Sequence, residues 1–211
     1  MSKHMGFRKK EWFFLVRWTV TTAMGFTVGS LFITPAMFFL AFSTDGLLGN
    51  LTTLISFTKV GFIIGISIGF GQTLALIGQA KQPILWLAVS ILGGTLGGFI
   101  VGLVSLTSLQ LAFILSVAVP GIFLGIAQKV VLMKFLKKAT GWIIANVISW
   151  ASAQVLLFTL NIDGNIILSI MEEESSLDLF IDLIRIFAKG AVISLITGIN
   201  LTWLLKNFKK E

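Results

Sequence analysis

A chain of 211 residues that is 56% apolar and only 12% charged lies far from the composition of soluble domains, where about a quarter of residues are charged. It has no cysteine and a single histidine, His4, which excludes disulfides, thiolate metal sites and cysteine nucleophiles and leaves no internal imidazole for catalysis or metal ligation. The net charge of +7 is gathered in short segments between apolar runs, a pattern that fits orientation in a bilayer better than nucleic-acid binding.

A helix needs about 20 apolar residues to cross the hydrocarbon core, and six segments are that long, roughly 11–33, 57–78, 84–106, 111–133, 141–161 and 186–206. The first follows Lys3, Arg8, Lys9 and Lys10 as a signal peptide would. Its apolar run is too long for one and no small-x-small site follows, so it is expected to be a retained anchor. Arg17, inside it, is expected to snorkel to the inner interface. The stretch 34–56 contains Pro35-Ala36-Met37-Phe38-Phe39-Leu40 and predicts a short interfacial or re-entrant piece. Pro83 suits the first turn of the third helix, where its missing N–H costs nothing, and Pro120 predicts a kink within the fourth. The segment 162–185 carries Glu172-Glu173-Glu174, expected to be a solvated loop. It ends in Leu177 to Arg185, where Asp178, Asp182 and Arg185 draw one polar stripe. That piece is expected to lie along the outer surface before the sixth span begins.

The charges predict a topology. With the N-terminus inside, the inner segments carry Lys3 to Lys10, then Lys81, then Lys134, Lys137 and Lys138, then Lys206, Lys209 and Lys210. The outer ones carry Asp45, and then Asp163, Glu172 to Glu174, Asp178 and Asp182. Both termini are therefore expected on the cytoplasmic side. Lys59, Arg185 and Lys189 run against this pattern and are expected to lift their charges to the outer interface along their long stems.

A repeat organises the spans. Gly65, Gly69, Gln72 and Trp86 recur at one constant offset as Gly121, Gly125, Gln128 and Trp142, and Trp142, Asn146, Trp150 and Ala153 align in the same way with Trp18, Thr22, Phe26 and Gly29. Tryptophan-type helices thus alternate with glycine-type ones. The predicted fold is an all-α polytopic membrane bundle, one domain over 1–211, of about six transmembrane helices in three parallel two-helix hairpins (roughly 11–78, 84–133 and 141–206), the last matching only loosely through Gly190, Ser194 and Gly198. Glycines four residues apart share a helix face and let backbones approach closely. Gly61, Gly65, Gly69, Gly93, Gly97, Gly121, Gly125, Gly190 and Gly198 are the predicted packing positions.

Gln72, Gln128 and Asn146 are the candidate polar network, with Ser90, Ser149, Thr22 and Thr27 available to join it. An amide in lipid requires partners, so the glutamines are either fasteners between helices or the lining of a polar constriction. Trp12, Trp18, Trp86, Trp142 and Trp203 fall near predicted inner ends and predict an aromatic belt. Trp150, two turns deeper, is expected to be a packing residue. No nucleophile set, dinucleotide motif or intramembrane acidic pair is present in the sequence, and neither a cofactor nor a metal site is expected.

The Gly121-x-x-x-Gly125-x-x-Gln128 motif followed by Trp142-x-x-x-Asn146-x-x-x-Trp150 resembles that of small polytopic membrane proteins of cyanobacteria and related bacteria, as does the closing segment Gly190-Ala191-Val192-Ile193 to Trp203-Leu204-Leu205-Lys206. The chain departs from that group in lacking an arginine soon after the glutamine, where Gln128 is followed by Lys129 and Lys134. The resemblance implies an architecture and a bacterial inner or thylakoid-type membrane, and no activity. Two function classes follow from the residues. The first is a non-enzymatic membrane subunit or assembly factor that meets lipid and other membrane proteins. The alternative is a small transporter or channel for a neutral or small solute along a glutamine-lined axis.

Overall fold

The computed structural model describes residues 8–41, 47–80, 82–116, 118–159 and 176–208. Their regular elements are all helices: α1 (Lys9–Ala41), α2 (Leu47–Leu76), α3 (Pro83–Ser105), α4 (Leu109–Ser116), α5 (Val119–Leu132), α6 (Thr140–Thr159) and α7 (Ser176–Phe208). Packing follows the chain. α1 lies on α2, α2 on α3, α3 on α5, α5 on α6, α6 on α7, and α7 returns to α1, while α4 sits against α3 and α5.

Local sequence explains where the helices begin and end. Pro83 occupies the first turn of α3 and Pro120 the first turn of α5, positions at which a backbone N–H has no partner within the helix. Pro120 divides the predicted fourth helix, so that α4 and α5 meet at 41°. After α2, Gly78 adopts φ 81° and Ala80 N–H bonds back to the Leu76 carbonyl at 3.1 Å. This is the left-handed residue that closes many helices, and glycine carries it without strain. Arg17 then reaches the same helix end, donating to the carbonyls of Ile77 (3.3 Å) and Leu74. Its cation meets the negative end of the α2 dipole, where the sequence predicted only a snorkelling side chain.

One other expectation is corrected. The piece Leu177 to Arg185 is no separate surface helix but the start of α7, which is continuous from Ser176 to Phe208; no proline or glycine interrupts it before Gly190. The stretch expected to hold an interfacial or re-entrant piece is helical up to Ala41 and again from Leu47. Residues 42–46, the acidic run at Glu172–Glu174 and the basic residues Lys3, Lys81, Lys209 and Lys210 lie outside the described residues.

The helices turn apolar side chains outward. Val16, Val20, Met24 and Val28 on α1, Ile66 and Phe70 on α2, Leu92 and Leu96 on α3, Ile126 and Val130 on α5, Ile144 and Ile148 on α6, and Leu195 and Ile199 on α7 are all exposed. They recur every fourth residue, so each helix carries an apolar stripe on the face away from its neighbours. Water-soluble monomers rarely expose patches beyond a few hundred Å², and a hydrocarbon solvent is the natural match. By length and composition, α2 (Gly49–Leu76, 28 residues) and α3 (23 residues) can cross a membrane, and α4 with α5 forms a third candidate when the bent pair is taken as one span.

The nine predicted packing glycines all face neighbouring helices. A Cβ on Gly65 would stand 2.5 Å from the Ser90 carbonyl oxygen, one on Gly69 2.6 Å from Ser90 Cβ, and one on Gly61 2.8 Å from Gly98 Cα. Gly93 and Gly97 meet α5 at Leu124 and Pro120, Gly121 and Gly125 meet α6 at Asn146 and Ile143, and Gly190 and Gly198 meet α1 at Ala23 and Trp18. Distances below about 3 Å leave no room for a side chain, so at Gly61, Gly65, Gly93 and Gly121 the helix backbones approach this closely only because the residues are glycine.

Candidate functional site: a buried amide and indole layer

Gln72 on α2 and Gln128 on α5 are fully buried and directly bonded. Gln128 Nε2 donates to Gln72 Oε1 at 2.7 Å and to Ser90 Oγ at 2.8 Å. Each carbonyl oxygen also receives an indole N–H from the next tryptophan helix, Trp86 to Gln72 Oε1 at 2.7 Å and Trp142 to Gln128 Oε1 at 3.0 Å. An indole N–H can only donate, so the two tryptophans fix which way each amide faces. Ser90 passes its own proton to the Trp86 carbonyl at 2.7 Å. Both hydrogens and the oxygen of the Gln128 amide are therefore satisfied, and Gln72 Oε1 accepts two bonds.

The tryptophans meet one another in the same layer. The rings of Trp18, Trp86 and Trp142, from α1, α3 and α6, form a triangle with centroids 5.6 to 6.0 Å apart and interplanar angles of 68 to 81°. Edge-to-face packing of this kind adds roughly 0.5–1.5 kcal/mol per pair beyond the area buried. All three rings are fully buried within one core cluster with Leu132, Leu136, Leu201 and Leu204. The predicted belt thus divides. Trp12 and Trp203 are about half exposed, whereas the other three are the centre of the core.

A third member of the layer escaped the sequence analysis. Trp18 Nε1 donates to Thr197 Oγ1 at 3.3 Å, and Thr197 in turn donates to the Ile193 carbonyl at 2.9 Å. Thr197 follows Gly190 at the spacing by which Gln72 follows Gly65 and Gln128 follows Gly121. That spacing was legible, but a threonine does not announce itself as the counterpart of a glutamine. Asn146, by contrast, is buried yet donates to the Trp142 carbonyl of its own helix at 3.0 Å, and no described hydrogen bond joins it to the glutamines. Ser149 donates to the Asn146 carbonyl, and Thr27 bonds back to Ala23. Ser90 is the predicted participant that enters the network.

The layer offers amides, hydroxyls and indoles already bonded to one another, groups suited to holding helices in register and poorly suited to proton transfer or nucleophilic attack. Comparison with protein-family models, with curated proteins and with solved structures yields no match.

A second polar cluster lies where α7 packs against α1 and α6. Here Lys189 on α7 donates to Gln154 Oε1 on α6 at 3.3 Å and stands 5.6 Å above the Phe26 ring. Phe26 and Trp150 meet edge to face at 6.2 Å. Lys189, expected at the outer interface, is turned inward by the packing of α7 against α1 and α6.

Proposed function

We propose that the chain is a non-enzymatic integral membrane protein, a subunit or assembly factor of a bacterial membrane complex of the cyanobacterial type. In this reading six spans form three parallel hairpins, with both termini on the cytoplasmic side. α4 with α5 serves as the fourth span and α7 as the sixth. The apolar stripes on α1, α6 and α7 support their assignment to lipid. The repeat is supported by the cyclic pattern of indole bonds, in which each glycine-type helix receives an N–H from the next tryptophan-type helix: α2 from α3, α5 from α6, and α7 from α1.

The observation that carries the proposal is the closure of the polar layer. Gln72 and Gln128 direct their amides at each other and at indoles, and the three tryptophans fill the space around them. A solute path along the axis would require these amides to face an opening, and their burial weighs against it. What such a bundle offers to other molecules is its surface: apolar helix faces, basic inner turns at Lys134, Lys137 and Lys138, and the acidic outer segment at Glu172 to Glu174.

The test combines two measurements on the full chain. Extracted from native membranes in mild detergent, the protein should migrate in a complex of defined stoichiometry that contains other chains. Reconstituted alone in vesicles, it should conduct no small-solute flux that changes on Gln72→Leu or Gln128→Leu. A solitary chain in native extracts, or flux that depends on the glutamines, would contradict the proposal.

A further inference from the structure

The cluster around Lys189 borders a cavity of about 240 Å³, lined along α2 by Phe57 to Ile64, along α3 by Gly94 and Gly98, and by Ser116, Pro120, Trp150, Gln154 and Lys189. Most of this wall is apolar. Its polar members are chiefly hydrogen-bond donors. The Lys189 ammonium has three hydrogens and gives one to Gln154. That bond occupies the Gln154 oxygen and leaves the amide N–H groups. Trp150 is 5% exposed, and its indole N–H finds no acceptor. At the rim, α5 begins beside Pro120 without a side-chain cap.

The charges around Lys189 leave it without a counter-ion among the described residues. One turn back, Arg185 and Asp182 pair with each other at 3.0 Å. Glu11 is engaged with Arg8 and Lys206 at the other end of the bundle. The π face of Phe26 is the remaining electron-rich group beside the ammonium, and a ring face is a weak substitute for a carboxylate. The cation and the surplus amide N–H groups therefore converge on one ligand type, an anionic acceptor.

We infer that this cavity binds a small organic monocarboxylate, its anionic oxygens on Lys189 and the Gln154 amide N–H and its apolar body against Phe57, Ile64 and the glycine faces of α2 and α3. Size limits the ligand. A cavity of about 150 Å³ admits benzene, so this one holds roughly ten non-hydrogen atoms. Benzoate meets both requirements. The site is distinct from the closed glutamine layer and goes beyond the proposed scaffold role, giving the protein a ligand to which its assembly can respond.

Equilibrium dialysis of labelled benzoate against the full chain in lipid nanodiscs tests this directly. One saturable site per chain is expected, with affinity at least tenfold lower in Lys189→Met, which keeps the stem, and several-fold lower in Gln154→Leu, which removes the amide. Benzamide, of the same shape without the charge, should not compete. Palmitate tests a bilayer source for the carboxylate, since its chain exceeds the cavity. Binding unchanged in Lys189→Met in protein that retains its helical circular dichroism would overturn the inference. So would equal competition by benzamide, or binding of palmitate with none of benzoate.

Discussion

The Gln128 amide donates one N–H to the carbonyl oxygen of Gln72 at 2.7 Å, so two buried residues on different helices are bonded to each other in the core of the bundle. Both residues are fully buried. Each is oriented by a tryptophan on the following helix, and the tryptophans pack on one another. Removing Trp142 or Ser90 therefore leaves part of the Gln128 amide without a partner.

Trp142→Phe tests that dependence at its simplest. The ring and most of its packing remain, but Gln128 Oε1 loses the 3.0 Å bond from the indole. A buried acceptor left unpaired costs about 1–3 kcal/mol, and unfolding in graded denaturing detergent should show a loss in this range. An unchanged midpoint would show that the indole bond is dispensable.

The glycine faces give a contrast within one protein. Gly65→Leu and Gly125→Leu place side chains where a Cβ alone would meet α3 at 2.5 Å and α6 at 3.0 Å. Overpacking of well-filled interiors typically costs 1–3 kcal/mol, sometimes more. Gly141→Ala, whose Cβ would meet only Asn200 Nδ2 at an ordinary 3.7 Å, should be close to neutral. Equal midpoints for all three variants would remove the close-packing role.

Arg17→Met should weaken the end of α2, because the guanidinium serves the carbonyls of Leu74 and Ile77. Faster hydrogen exchange confined to the last turn of α2 and the turn at Gly78 is expected, with Arg17→Lys in between. Protection equal to that of the parent protein would assign Arg17 no capping role.

For the topology, single cysteines at Lys138 and Glu173 should be labelled by an impermeant reagent from opposite sides of sealed vesicles. The basic inner turns and the acidic outer segment motivate the expectation. Labelling from the same side would sink the three-hairpin arrangement.

How much of this was legible in the sequence follows from what kind of signal each residue emits. The glycine spacings announced close backbone contacts, and all nine positions face a neighbour, because a missing side chain has few other uses at a helix interface. Pro83 and Pro120 marked helix starts for equally local reasons. Gln72 and Gln128 stood out as amides in apolar runs, yet their bond to each other depends on how α2 and α5 are brought together around α3. Trp18, Trp86 and Trp142 were misjudged as a belt, since depth along a helix is visible in sequence whereas the direction a ring faces is not. Thr197 and Lys189 show the same limit. Threonine commonly bonds its own helix, and a lysine near a span end normally reaches outward; only the packing of α7 against α1 and α6 turns these two inward.

The shared layer of Gln72 and Gln128 is tested most directly by a double-mutant cycle. Gln72→Leu, Gln128→Leu and the double variant are unfolded under identical detergent conditions, and the coupling is the departure from additivity. A direct interhelical bond of this kind predicts coupling of about 0.6–2 kcal/mol, the double variant losing less than the sum of the singles. Strictly additive losses would mean that the two amides act independently, and would contradict a single closed layer as the fastener of the bundle.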